Sequence, residues 1–285
     1  MVKIVVPNEL SFRCESQNIT ELDLSNCQKL RELVCSNNKI THLELSNCPN
    51  LDTLWCGGNY LTTLDLSNCV KLIVLSCMDN ELRELDLSNC RELNELWCFR
   101  NKLGKLDLSN CLNLKYLQCF ENQLTTLCVC SPELYMLSCR MNKLTELDVS
   151  KCLNLNSLYC EDNKLEQLDV SNCPELVNLR CHNNVITQLE LSNCVNLTKL
   201  ECYTNRIVEL EFSNCVNLTN LTCHTNDITE LDISQNKRLK LLFCDSVYPF
   251  ENDNKYIISQ DSIIIDEYRN SCKEYFNYKQ QYILK

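Results

Sequence analysis

Cysteines stand along this chain at fixed intervals. Cys14, Cys35, Cys56, Cys77, Cys98 and Cys119 lie 21 residues apart. After one 20-residue step the spacing resumes with Cys139, Cys160, Cys181, Cys202, Cys223 and Cys244. A second series interleaves with the first: Cys27, Cys48, Cys69, Cys90 and Cys111, then Cys152, Cys173, Cys194 and Cys215. Of 24 cysteines only Cys128, Cys130 and Cys272 fall outside the two series. A self-similar unit this short cannot bury its own apolar edge, so successive units must stack, each against its neighbours.

One unit shows the grammar. Leu30, Leu33, Cys35, Asn38, Ile40, Leu43, Leu45 and Cys48 recur as L-x-x-L-x-C-x-x-N-x-L-x-x-L-x-L-x-x-C-x-x. This pattern resembles the leucine-rich repeat, with cysteine in place of the third leucine, over roughly residues 9–247. The 21-residue length, with two nested half-repeats, is similar to the short bacterial type. The resemblance implies a right-handed, mainly β solenoid of about eleven coils, with one or two parallel strands per coil. It also implies a ladder of buried side-chain amides, Asn38, Asn59, Asn80 and their successors, holding the turn backbone.

The residues support the same reading directly. Leu-x-Cys is a period-two stretch, so each coil offers a short strand with two inward side chains. The second half, Leu-Asp-Leu-Ser-Asn-Cys, is open to two readings, a second strand or a looser extended or helical segment; its alternation favours the strand. Its acidic column (Asp23, Glu44, Asp65, Asp86 and onward) stacks like charges, which calls for compensation by serine hydroxyls, turn amides, lysines or cations.

Cysteine is a small, usually buried apolar residue, and both series fit inward core positions. In-register parallel strands keep Cβ atoms about as far apart as Cα atoms, which is too far for regular disulfides. Neither series contains C-x-x-C pairs and the chain has three histidines, so no metal and no cofactor are expected. Reduced thiols point to an intracellular, cytoplasmic setting, with which delivery into a host cell is compatible. Residues 1–10 lack the apolar run of a signal peptide.

The first half-repeat carries the variation. Outward positions on either side of the cysteine hold Trp55, Met78, Trp97, Phe99, Tyr116, Phe120, Tyr159, Arg180 and Tyr203, including both tryptophans of the protein. Aromatic and arginine side chains on a rigid exposed surface are what binding hot spots use. We therefore expect a protein-interaction module that docks an unidentified protein on this face. Two alternatives stand beside it: a structural or self-assembling scaffold, in which the patch is a homotypic contact, and binding of a carbohydrate or small ligand.

A net charge of −11 argues against a nucleic-acid partner. Apolar runs fall short of the ~20 residues of a membrane helix. No catalytic constellation or phosphate loop is visible, so no enzyme activity is expected. His182 and His224 share the variable face two coils apart, beyond reach of one another.

The sixth repeat is irregular: Leu127-Cys128-Val129-Cys130-Ser131-Pro132 replaces the usual run, with a deletion expected just after it. Cys128 and Cys130 then fall at exposed positions. Residues 1–8 read as an N-terminal capping strand. Residues 248–285 read as a C-terminal cap, a strand followed by an α-helix on which Ile265, Tyr268, Cys272, Tyr275 and Phe276 recur at helical spacing.

Overall fold

The computed structural model describes residues 2–228 and 231–244. The C-terminal cap, its helix and Cys272 lie outside the described residues. The chain divides into two compact units, Met1–Leu155 and Asn156–Lys285.

In the first unit, short strands stack in parallel and in register: Ser11–Arg13, Glu32–Val34, Thr53–Trp55, Val74–Ser76, Glu95–Trp97, Tyr116–Gln118 and Met136–Ser138. In the second unit, Ser157–Tyr159, Asn178–Arg180, Lys199–Glu201, Asn220–Thr222 and Leu241–Phe243 do the same. Each strand is three residues long, the stretch over which Leu-x-Cys alternation holds. The leucines and both cysteine series fill the interior of each unit, and most are fully buried. The thiols behave as core groups: burial pushes Cys48 and Cys90 up to about 12. At such values they stay protonated and unreactive.

The asparagine column closes each coil. Asn80 Nδ2 donates to the carbonyls of Cys56, Cys77 and Met78, each at 3.1 Å, while its Oδ1 accepts the Leu61 N–H at 2.9 Å. Asn38, Asn59, Asn101, Asn122 and Asn142 repeat the scheme in the first unit, and Asn184, Asn205 and Asn226 in the second. A buried amide is stable only when so paired. The residue just before each of these asparagines adopts positive φ. Only at Gly58 (φ 66) is that residue a glycine; elsewhere it is an L-residue such as Asp79 (φ 51), Arg100 (φ 52) or Thr204 (φ 54).

The second half-repeat forms a ladder only in places. Lys3–Val5 pairs with Glu21–Asp23, Lys105–Leu108 with Thr126–Val129, and Gln167–Asp169 with Gln188–Glu190. In the remaining described coils the Leu-Asp-Leu stretch forms no strand. The acidic residue has a local job instead. Asp65 Oδ1 accepts the backbone N–H of Ser67 at 2.9 Å, and Asp86, Asp107 and Asp148 do the same for Ser88, Ser109 and Ser150. The alternation therefore reports turn chemistry as much as a pleat, and the turn amide supplies the compensation that the stacked charges require.

Several thiols of the second cysteine column, Cys27, Cys111 and Cys194 among them, point at backbone carbonyls of the preceding coil. Cys111 Sγ points at the carbonyls of Cys90 (3.6 Å) and Leu87 (4.0 Å) in the preceding coil. Ser131, buried, takes the same place in the irregular coil, with Oγ 2.8 Å from the Leu112 and Leu114 carbonyls. Asn236 takes it further on, donating to Phe212 and Cys215. This relocates the deletion. Ser131 aligns with the column cysteines, so the missing residue is the turn asparagine just before it, not one after Pro132.

Candidate functional site

The outward face of the first unit carries two adjoining rows of large side chains. In the first row Trp55, Ser76 and Trp97 occupy one register position on three consecutive strands. Strands two apart are separated by about 9.6 Å, yet the indole centroids lie 5.6 Å apart at 59°. The rings lean toward each other over the small serine between them, and Ser76 is only 1% exposed as a result. Trp55 keeps 39% of its surface open.

The second row follows the cysteines. Met78 lies across Gly57, where an added Cβ would meet Met78 Cγ at 2.8 Å, so the glycine makes room for the thioether. Phe99 and Phe120 stack with centroids 4.3 Å apart and planes 8° from parallel. The Arg140 guanidinium sits 4.3 Å from the Phe120 ring centroid. Glu121, beside it, receives Arg100 Nε at 3.0 Å and lies 3.8 Å from Arg140. Tyr116 meets Tyr135 edge-on at 6.0 Å. The six expected residues of this unit thus share one face.

Tyr159, Arg180 and Tyr203 belong to the second unit. Arg180 lies over the Tyr159 ring at 5.3 Å and reaches Glu201 at 3.4 Å. Tyr203 stands between His182 and His224, stacked on both at 4.2 and 4.8 Å. The two histidines are thus separated by a ring rather than by open surface. Burial lowers the His182 pKa, against the pull of Glu201 in the opposite direction.

Not every position after a cysteine faces solvent. Ser36, Glu161 and His182 are buried. The backbone is already turning toward the left-handed residue there, so strand alternation no longer tells in from out. Arg100, Arg140, Tyr135 and Glu121 belong to the face and were missed as site residues. The signal for Arg140 was present, since it follows Phe120 in the same column of the next coil.

A shallow groove of about 610 Å³ is lined by Lys29, Arg31, Asn50, Asp52, Lys71 and Ile73. Within it Arg31 pairs with Asp52, and Lys71 donates to Asn50.

A family model described as leucine rich repeats (2 copies) matches residues 28–69. A search of curated proteins finds no significant match. Among solved structures, the functional domain of InlJ from Listeria monocytogenes, described as including a cysteine ladder, is 35% identical with a TM-score of 0.78. The alignment covers 83% of this chain and 53% of that one, so this chain spans about half the length of that relative. The internalin InlF from Listeria monocytogenes is 20% identical (TM-score 0.60, covering 85% and 87%). The LRIM1/APL1C complex is 22% identical (TM-score 0.63, covering 83% and 54%). These last two share the fold.

Proposed function

We propose, on the premise that this chain is built of leucine-rich repeats with a cysteine ladder, that it is a protein-interaction module. The partner docks on the aromatic face of unit Met1–Leu155. The observation that carries this reading is the arch of Trp55 and Trp97 over Ser76 beside the Phe99–Phe120–Arg140 stack. Side chains held by one another lose little freedom when a partner arrives, so burial of their open surface goes into affinity. Shared fold with a solved complex, LRIM1/APL1C, supports the same class of function. Cysteines used as buried core groups favour a reducing compartment for the module.

Affinity capture from native lysate tests it, with three baits: the unaltered chain, Trp55→Ser/Trp97→Ser/Phe99→Ser, and Asp65→Asn/Asp86→Asn on the acidic column. Hot-spot anchors contribute about 2 kcal/mol or more each. The aromatic variant should therefore lose its partner while keeping its thermal melt, and the acidic-column variant should retain it. Capture of the same proteins by all three baits overturns the reading.

A second reading, self-association, rests on exposed apolar side chains that follow the second cysteine column, among them Val70, Leu112 and Leu153, each about half exposed. Concentration-dependent mass in light scattering, abolished by Val70→Glu/Leu112→Glu, favours it over the first.

A further inference from the structure

The irregular coil departs from its neighbours on the face that is otherwise most constant. Where other coils carry an acidic residue and a serine, this one carries Cys128 and Cys130. Alternate residues of a strand share a face, and Val129 between them is buried, so the two thiols stand side by side on the outer surface. Cys128 is exposed and Cys130 half-buried, whereas nearly all described cysteines of the two columns are buried. Their Sγ atoms are 4.0 Å apart. Lys151 Nζ lies 3.9 Å from Cys130 Sγ, and Asp107 occupies the register position beside Cys128 on the paired strand.

The sulfur–sulfur distance separates two kinds of chemistry. A disulfide needs about 2.05 Å between sulfurs and Cβ atoms about 3.8 Å apart. Same-face residues of a strand have Cα atoms about 6.6–6.8 Å apart with roughly parallel Cβ vectors, so closure would pull Thr126–Val129 out of its pairing with Lys105–Leu108. One atom bound to both sulfurs needs no such movement. With metal–thiolate bonds of about 2.3 Å, sulfurs at this separation subtend an angle of about 120° at the metal, close to trigonal.

We propose that Cys128 and Cys130 form a two-sulfur site for a soft, thiophilic metal ion, the class to which Cu(I) belongs. Binding replaces the two thiol protons, which leave to solvent, by two sulfur–metal bonds. The Lys151 ammonium offsets the negative charge gathered on the sulfurs. No group of three protein donors gathers for a metal among the described residues, so the remaining coordination positions belong to water or an exogenous thiol. That is the makeup of an exchangeable site rather than a structural one.

The test equilibrates the full reduced chain with Cd(II), a soft probe with an ultraviolet thiolate charge-transfer band, then removes free metal and counts ions per chain. The comparison is Cys128→Asp/Cys130→Ser, which restores the residue types of the neighbouring coils and so keeps the fold. The expected result is one ion and a charge-transfer band for the unaltered chain, none for the double variant, and binding weakened several-fold in Lys151→Met. No uptake by the unaltered chain overturns the proposal. So does equal uptake by the double variant, including uptake that disappears only when Cys272→Ser is added.

Discussion

Removing one amide from the asparagine ladder should cost less than removing two neighbours would suggest, because the ladder shares its acceptors. Asn101 donates to the carbonyls of Cys77 and Cys98 and accepts the Leu82 N–H at 3.0 Å. The Cys77 carbonyl also accepts from Asn80, and the Cys98 carbonyl from Asn122. In Asn101→Ala both carbonyls therefore keep a donor, and the group left bare is the buried Leu82 N–H. One orphaned amide costs about 1–3 kcal/mol, and the lost donations add about 0.5–1.5 kcal/mol each. A total of about 2–6 kcal/mol follows. Asn101→Ala/Asn122→Ala removes both ladder donors from the Cys98 carbonyl, adding about 1–3 kcal/mol beyond the sum of the single costs. Asn59→Ala/Asn122→Ala shares no carbonyl and should be additive. Urea unfolding of the singles and doubles measures the coupling, and hydrogen exchange at Leu82 and Leu103 localises it. Coupling within about 0.5 kcal/mol of zero for the neighbouring pair would refute the shared-acceptor reasoning.

Other substitutions probe the remaining columns. Cys111→Ser should cost under about 1 kcal/mol, because Ser131 already fills the equivalent place against carbonyls, whereas Cys98→Ser puts a hydroxyl into the fully buried first column at about 1–3 kcal/mol; urea midpoints compare the two. Thr204→Gly should raise stability by about 0.5–1 kcal/mol by relieving a β-branched residue at φ 54. Gly58→Ala should lower it, since its Cβ would fall 2.4 Å from Asn37 Oδ1; thermal melts read both signs. The carboxyls of Asp65, Asp86 and Asp107 are held below their ordinary 3.8 by hydrogen bonds from Ser67, Ser88 and Ser109. Depressed carboxylates contribute stability above the unfolded value and lose it as pH falls through the folded one. The melting temperature should drop below about pH 4, and Asp65→Asn/Asp86→Asn should blunt that drop.

What could be read from the sequence was whatever repeats. The strand, the amide ladder and the buried thiols obey backbone hydrogen bonding and packing, which impose the same demand on every coil. The Leu-Asp-Leu half was harder because two causes produce one pattern. A pleat alternates apolar and polar residues, and so does a leucine flanking an aspartate that caps its own turn, as Asp65 does for Ser67. The deletion was misplaced for a related reason. Cysteine spacing aligns cysteines, but the second column asks for a donor, and a serine hydroxyl or an asparagine amide meets that demand equally well.

The aromatic face lay beyond column counting because its geometry is set between coils. Outward positions say which side chains leave the sheet, not how they lean. Trp55 and Trp97 meet only because Ser76 is small, and Met78 has room only because Gly57 has no Cβ. The rings that would contact a partner are also the rings that cover one another. Trp97, Phe99 and Phe120 are accordingly half-buried before anything binds. Such a face has less apolar surface left to bury than the same residues fully extended would have, but it carries a smaller ordering cost. It follows that the spacers matter as much as the anchors. Replacing Ser76 with leucine would part the indoles, enlarge the exposed apolar surface and still weaken a partner matched to the arch. A patch that binds merely by being greasy would respond in the opposite direction.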